Sequence, residues 1–381
     1  MFDFIGVGNG LVNLVLFVVI LVPLVVIHEL GHFIAARRAG VTVHEFGIGF
    51  PPRAKTLGTD SKGTVYTLNW LPLGGFVRLE GEDGESVERH AFVNQPLRTR
   101  LVILLSGVVM NILLAFVLFA GIAFFADPAT EVGLTCVQPD GPAAMAGLKS
   151  GTQTGTIDGA DGQTFPVCDP TGESITAIDG RRFLTFSVPS EPDPLAYLRS
   201  HAGQTVTLTV RAADGVSREV PVTLRSPSEA AQHGALGITG YDIAYSTEAH
   251  DPLTAVTLGA RRTVDAATLV LRGIGDFITN IANPPISGPV GIVNTIGIVR
   301  TALPPVFLIW LIAALSANLG IVNALPFPPL DGGKVATSLV QAVVGERANG
   351  VIERFVYAGL LLMFALVIWV TLFDVGILQR T

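Results

Sequence analysis

Residues 11–38 read LVNLVLFVVILVPLVVIHELGHFIAARR, and this stretch decides the fold. It lies in an apolar run with no Asp, Glu, Lys or Arg from Phe4 to Ile27, which continues through His28 and Ala36 to Arg37-Arg38. A helix needs roughly 20 apolar residues to cross a bilayer. Three further uncharged stretches meet or approach that length: Leu101–Ala126, Thr301–Leu330 and Phe355–Phe373. The first run sits where a secretory signal would. Only Asp3 and no basic residue precedes it, however, and no small-residue cleavage site follows, so it reads as a retained span. Composition agrees with four spans. The chain has 381 residues, 49% hydrophobic and only 14% charged, whereas soluble domains carry about 25% charged residues. Mean hydropathy is +0.55. A net charge of −7 removes the basic footprint of a nucleic-acid binder, so no nucleic-acid partner is expected. Two cysteines are too few for a disulfide-built scaffold.

Orientation follows from lysine and arginine near the spans. Residues 1–10 have none, whereas the loop 37–100 has Arg37, Arg38, Arg53, Lys55, Lys62, Arg78, Arg89, Arg98 and Arg100. That loop is expected to be cytoplasmic, with both termini and residues 127–300 outside. Cys136 and Cys168 fall in the outer region, where the compartment permits a disulfide, and two free thiols are equally compatible. Val43–Phe50 and Thr64–Leu79 are rich in β-branched and aromatic residues and read as strands, the second interrupted at Pro72-Leu73-Gly74-Gly75. From Glu131 to Leu224 the composition is that of a soluble domain. Thr205–Val210, Arg218–Leu224 and Ser174–Ile178 read as strands there, Pro142–Leu148 as a short helix, and Thr152–Gly172 as an insertion. Thr254–Ala282 has helical periodicity suited to a membrane surface, and Asn283–Pro289 reads as a break.

The expected organisation is therefore a first transmembrane helix (1–38), a loop region (39–100), a second transmembrane helix (101–126) and a soluble domain (127–228) with an insertion at 152–172. A linker with an amphipathic helix (229–300), a third transmembrane helix and loop (301–350) and a fourth transmembrane helix (351–381) follow.

His28-Glu29-Leu30-Gly31-His32 is an H-E-x-x-H motif. On a helix, side chains at i and i+4 share a face, and two neutral imidazoles there can fill two positions of a tetrahedral Zn²⁺. Glu29 is rotated about a third of a turn away, where a carboxylate can act as a general base without ligating. Two histidines and a glutamate within a membrane span cost several kcal/mol unless partnered. A catalytic zinc site usually takes three protein ligands. The candidate for the third is Asp331, within Asn323-Ala324-Leu325-Pro326-Phe327-Pro328-Pro329-Leu330-Asp331-Gly332, where prolines break the helix. Residue physics alone leaves a second reading open, in which Asp331 marks the cytoplasmic end of the third span.

These motifs together resemble the site-2 protease family of intramembrane zinc metalloproteases, in particular its bacterial regulated-intramembrane-proteolysis members with one PDZ domain. The resemblance extends over nearly the whole chain. It implies one Zn²⁺ per chain held by His28, His32 and Asp331, with Glu29 as the catalytic base. Asn323 corresponds to the residue that holds an unwound substrate backbone, and Pro326 and Pro328 to the helix-breaking prolines. Gly107 and Asn111 match a G-x-x-x-N motif grouped with the substrate-binding residues. Pro72-Leu73-Gly74-Gly75 matches a membrane-associated β-loop that pairs with substrate, through Leu71, Gly74 and Gly75. Gly288-Pro289-Val290-Gly291 resembles another family segment. Residues 131–225 resemble a PDZ domain through Gly141-Pro142-Ala143, Ala146-Gly147-Leu148 and Ile178-Asp179-Gly180, the insertion 152–172 being a departure.

The implied fold is a polytopic α-helical membrane protein of four transmembrane helices, with a membrane-associated β-loop and an inserted extracytoplasmic PDZ-like α+β domain. The implied activity is zinc-dependent cleavage within or near the transmembrane helix of single-span membrane proteins, anti-sigma-factor-like or signal-peptide remnants. An upstream site-1-type protease trims the ectodomain first, and the PDZ-like domain acts as a size filter or as a docking module. The implied location is the bacterial inner membrane, with the lipid bilayer as surroundings. Two other classes compete: an inactive membrane PDZ scaffold, which the intact Glu29 disfavours, and a metal or ion transporter, which lacks inverted repeats.

Overall fold

The computed structural model describes residues 7–82, 86–158, 164–183, 193–280 and 287–378, and the chain divides into two compact units, residues 121–258 and the rest. The chain begins with α1 (Val7–Arg38), β1 (Val43–Thr59), β2 (Val65–Leu79) and α2 (Leu97–Ala126). β3 (Asp127–Val137), α3 (Pro142–Met145), β4 (Gln153–Asp158), β5 (Thr164–Cys168) and β6 (Ser174–Ile178) follow. Next come α4 (Pro194–Ser200), β7 (Thr205–Arg211), β8 (Ser217–Thr223), α5 (Pro227–His233) and β9 (Ile238–Glu248). The chain then continues through α6 (Pro252–Thr279), α7 (Pro289–Ala302), α8 (Val306–Ala324), α9 (Asp331–Val344) and α10 (Asn349–Asp374). Among the described residues, four helical stretches are long and apolar enough to cross a membrane: Asn9–Arg38, Leu97–Ala126, Val306–Ala324 and Gly350–Asp374.

In the helical unit, Ile20 and Leu24 of α1 pack with Leu114, Ile296, Leu311 and Leu315 from α2, α7 and α8. Lipid is as apolar as leucine, so burial alone does not choose helix neighbours in a bilayer, and polar contacts help specify them. The Asn13 side-chain oxygen on α1 accepts from Arg300 Nε on α7 at 3.2 Å. Ser316 Oγ on α8 donates to the Asn111 carbonyl on α2 at 2.8 Å. The Gly291 amide in the first turn of α7 donates to Asp374 Oδ2 at 2.8 Å, a carboxylate placed where the helix dipole favours it.

β1 and β2 form one antiparallel sheet that folds back on itself. Phe46 pairs with Tyr66 on one side and Val77 on the other, so the start of β1 lies between the two halves of β2. Val43, Leu79 and Phe92 pack with Ala36 and Ile103, fixing this sheet to the end of α1 and the start of α2. β1 extends past the expected Phe50 to Thr59, and β2 runs through Pro72-Leu73-Gly74-Gly75 instead of breaking there. The fold-back absorbs the bend while cross-strand pairing continues on both sides of it.

The second unit is a five-stranded antiparallel sheet in the order β8-β7-β6-β3-β9. One face buries Leu134, Ile175, Leu208, Val210 and Val222 against Tyr197, Leu198 and Ala230 of α4 and α5. Buried Glu131 pairs with Arg211, and buried Glu173 with Arg218 at 2.9 Å. β4 and β5 form a separate hairpin within the expected insertion, and Cys136 is disulfide-bonded to Cys168. The sheet also takes in β9, which falls within the expected linker over residues 229–300. β9 is an edge strand with no buried side chain, so it has no apolar alternation to read. The helix expected over Thr254–Ala282 runs as α6, and residues 283–286 of the expected break lie outside the described residues.

The disulfide closes a sequence separation of 32 residues. Replacing Cys136 and Cys168 together with Ser should destabilise this unit by about 3.7 kcal/mol, as loop-closure entropy implies. Hydrogen exchange of β3 and β6 in the full-length protein reads this directly: protection should fall there and stay unchanged in α8.

Candidate metal centre

α1 carries His28 and His32 one turn apart, so both imidazoles leave the same face of the helix. His28 is 5% and His32 9% exposed. α8 ends at Ala324, and the proline-rich segment 325–330 turns the chain so that Asp331 opens α9. Gly333 makes that approach possible: a β-carbon there would lie 2.5 Å from Pro328 N and 2.6 Å from the Phe327 carbonyl carbon. Asp331 Oδ2 comes to rest 2.8 Å from His28 Nε2 and 3.2 Å from His32 Nε2, and the two nitrogens are 3.1 Å apart.

Three donor atoms in so small a triangle fit a cation. Tetrahedral zinc with bonds of about 2.0–2.1 Å separates its ligand atoms by roughly 3.3 Å, so an expansion of a few tenths of an ångström admits the ion. The outer nitrogens are also arranged for ligation. His32 Nδ1–H donates to the Ile103 carbonyl at 2.8 Å, which leaves Nε2 with a free lone pair. His28 Nδ1 lies 3.3 Å from the side-chain amide of Asn111. For His28 to ligate through Nε2, Nδ1 must carry the proton and Asn111 must turn its oxygen toward it. Asn111 Oδ1 is a buried acceptor without a partner among the described residues, and that rotation satisfies it.

Gly107 completes the cradle on α2. A β-carbon there would lie 2.5 Å from His32 Nε2 and 2.7 Å from His28 Nε2, in the space the ion needs. Asn111, grouped by the sequence reading with the substrate contacts, is fully buried behind His28. Its position one turn beyond Gly107 is the signal that it faces the same centre. Backbone acceptors such as the Ile103 carbonyl leave no trace in sequence.

The remaining candidates surround this centre. Glu29 points toward β2, where a β-carbon on Gly75 would sit 3.6 Å from Glu29 Cγ. Gly75 thus runs beside Glu29, Gly74 lies against Phe50 and Val25, and Leu71 is 48% exposed on the same strand. Asn323 is half-buried near the end of α8, and its side chain makes no hydrogen bond among the described residues. Pro326 is exposed and Pro328 buried in the turn before Asp331. Lys334, three residues after Asp331, donates to Glu82 at 2.7 Å. Burial pulls its ammonium down, but the facing Glu82 carboxylate outweighs this and holds it above the ordinary lysine value.

The profile of peptidase family M50 matches residues 16–367. The chain belongs to this family. It is similar to the zinc metalloprotease RasP of Geobacillus kaustophilus, 26% identical over 94% of this chain and 97% of that protein. The regulator of sigma-W protease RasP of Bacillus subtilis is likewise 26% identical, over the same shares of the two chains. This chain is therefore an intramembrane metalloprotease with zinc as its cofactor.

Two substitutions probe the cradle without touching the three donor residues. Gly107→Ala should abolish zinc retention in purified protein while the helical circular-dichroism signal persists. Asn111→Ala should weaken zinc binding by about 10–100-fold, measured by chelator competition.

Proposed function

We propose that this chain cleaves a peptide bond within or near the transmembrane helix of single-span membrane proteins, with His28, His32 and Asp331 holding one zinc ion and Glu29 as proton carrier. The observation that carries the reading is the convergence of Asp331 Oδ2 on both histidine Nε2 atoms, at 2.8 and 3.2 Å. Bound zinc supplies Lewis acidity, polarising the scissile carbonyl and making water nucleophilic near neutral pH. Glu29, on α1 but rotated away from the ligand face, takes the proton from the attacking water and delivers it to the leaving amine.

A helical substrate hides its amides, so it must unwind before attack. The stretch Leu71–Gly75 supports strand addition: it lies in β2, and Gly75 borders Glu29. Asn323 offers the freed substrate backbone a side-chain amide that makes no hydrogen bond among the described residues. Pro326 and Pro328 keep the turn before Asp331 out of helix. The basic loop 37–100 argues for a cytoplasmic location, with both termini and the five-stranded unit outside a bacterial inner membrane. His28 precedes Arg37 by nine residues, about 14 Å along a helix, so water reaches the centre from the cytoplasmic side.

The relative named regulator of sigma-W protease supports anti-sigma-factor-like substrates, with signal-peptide remnants as a second class. The outer unit then serves as a PDZ-like filter that admits substrates already trimmed by an upstream site-1-type protease.

In proteoliposomes with a single-span substrate, Glu29→Gln should retain zinc and lose cleavage by at least about 10³-fold. Cleavage by this variant near the wild-type rate would contradict the role of Glu29. Removing residues 131–225 should broaden the accepted substrates to those with intact ectodomains, read by fragment size on gels.

A further inference from the structure

α1 and α2 enclose a groove of about 950 Å³ on the loop 37–100 side of the helical unit. Ile34 and Ala35 of α1 and Leu101, Leu105 and Val109 of α2 form its apolar walls. The helical spacing on each side gives a continuous strip running along the two spans. At one end the groove is bounded by Arg38 and Arg98, both exposed. Among the described residues no carboxylate lines it.

Several basic side chains of residues 37–100 have internal partners, whereas Lys55, Lys62 and Arg89 have no ion pair among the described residues and do not line the groove. Arg37 donates to Asp60, Arg53 and Arg78 pair with Glu45, and Arg100 donates to Gln341. Arg38 and Arg98 have no ion pair among the described residues. Arg38 is the last residue of α1 and Arg98 the second of α2, so each stands at the loop-side end of a helix long and apolar enough to cross a membrane, where the phosphate layer of a bilayer is expected. Two guanidinium groups at the head of an apolar trough between spans match a molecule with an anionic head and a hydrocarbon tail.

We infer that this groove binds an anionic phospholipid, its phosphate held by Arg38 and Arg98 and an acyl chain lying between α1 and α2. Charge complementarity selects the anionic headgroup over a zwitterionic one, and the apolar length selects a lipid over a free phosphate. Gly31 and Ser106 also line the groove, each adjacent in sequence to a residue of the metal cradle, His32 and Gly107. A lipid seated there braces the α1–α2 contact beside the centre.

The test uses the full-length protein and needs no proteolysis, so it stands or falls separately from the proposed reaction. Native mass spectrometry with an equimolar mixture of phosphatidylglycerol and phosphatidylcholine should show preferential retention of phosphatidylglycerol. Each arginine near a membrane surface contributes roughly fivefold, so Arg38→Gln/Arg98→Gln should weaken phosphatidylglycerol binding by about thirtyfold and erase the preference. Arg98→Gln alone should lose about fivefold, which keeps the test informative if the double variant does not fold. Lys55→Gln/Lys62→Gln removes the same charge at residues that do not line the groove and should preserve the preference. Ala35→Phe should weaken retention with both arginines intact. The inference is overturned if wild-type protein shows no preference, or if the two charge-matched double variants behave alike. It is equally overturned if glycerol 3-phosphate displaces the lipid, or if only a transmembrane peptide occupies the groove.

Discussion

Two imidazole nitrogens and one carboxylate oxygen, drawn together within a membrane protein, are the constraint around which the helical unit is organised. Asp331 lies 303 residues from His28 and 299 from His32 along the chain, yet its oxygen reaches both Nε2 atoms. Buried polar groups are costly in hydrocarbon unless they find partners. The fold supplies those partners in layers. The carboxylate meets the imidazoles, the Ile103 carbonyl and the Asn111 amide meet their outer nitrogens, and Ser316 ties Asn111 to α8. Gly107 and Gly333 let α2 and the 325–330 turn come close enough for this.

The reaction assigned to the centre follows from how α1 divides its surface. One face presents His28 and His32, and the adjacent one presents Glu29 to the β1–β2 sheet. In the proposed mechanism, proton transfer and cation binding are thereby separated by about a third of a helical turn, so Glu29 keeps its lone pairs for water. The same sheet is held by Val43, Leu79 and Phe92 against the ends of α1 and α2. A substrate strand added at Leu71–Gly75 would thus be positioned by the elements that position the base, which is what orientation-dependent catalysis requires. Arg38 and Arg98, which have no ion pair among the described residues, lie at the ends of these two helices.

The sequence makes some of this legible and hides the rest for physical reasons. The spans are plain because lipid exposure demands long uncharged runs. The H-E-x-x-H spacing is plain because helical periodicity converts it directly into geometry. Asp331 is different. Residue chemistry names it as a candidate, but only the turn at 325–330 and the start of α9 bring it to the histidines, and resemblance carried that step at the sequence level. Asn111 is legible as a motif residue and not in its position, because its burial behind His28 depends on how α1 and α2 pack. β9 is missed because an edge strand with exposed side chains has no apolar rhythm. The disulfide is undecided in sequence because two cysteines 32 residues apart say nothing about distance.

X-ray absorption spectroscopy of the zinc-loaded full-length protein, compared with Asp331→Ala, tests the central claim most directly. The predicted spectrum has two imidazole nitrogens and a carboxylate oxygen at about 2.0–2.2 Å, with the carboxylate contribution lost in the variant. A zinc shell free of histidine, or one unchanged by removing Asp331, would contradict it.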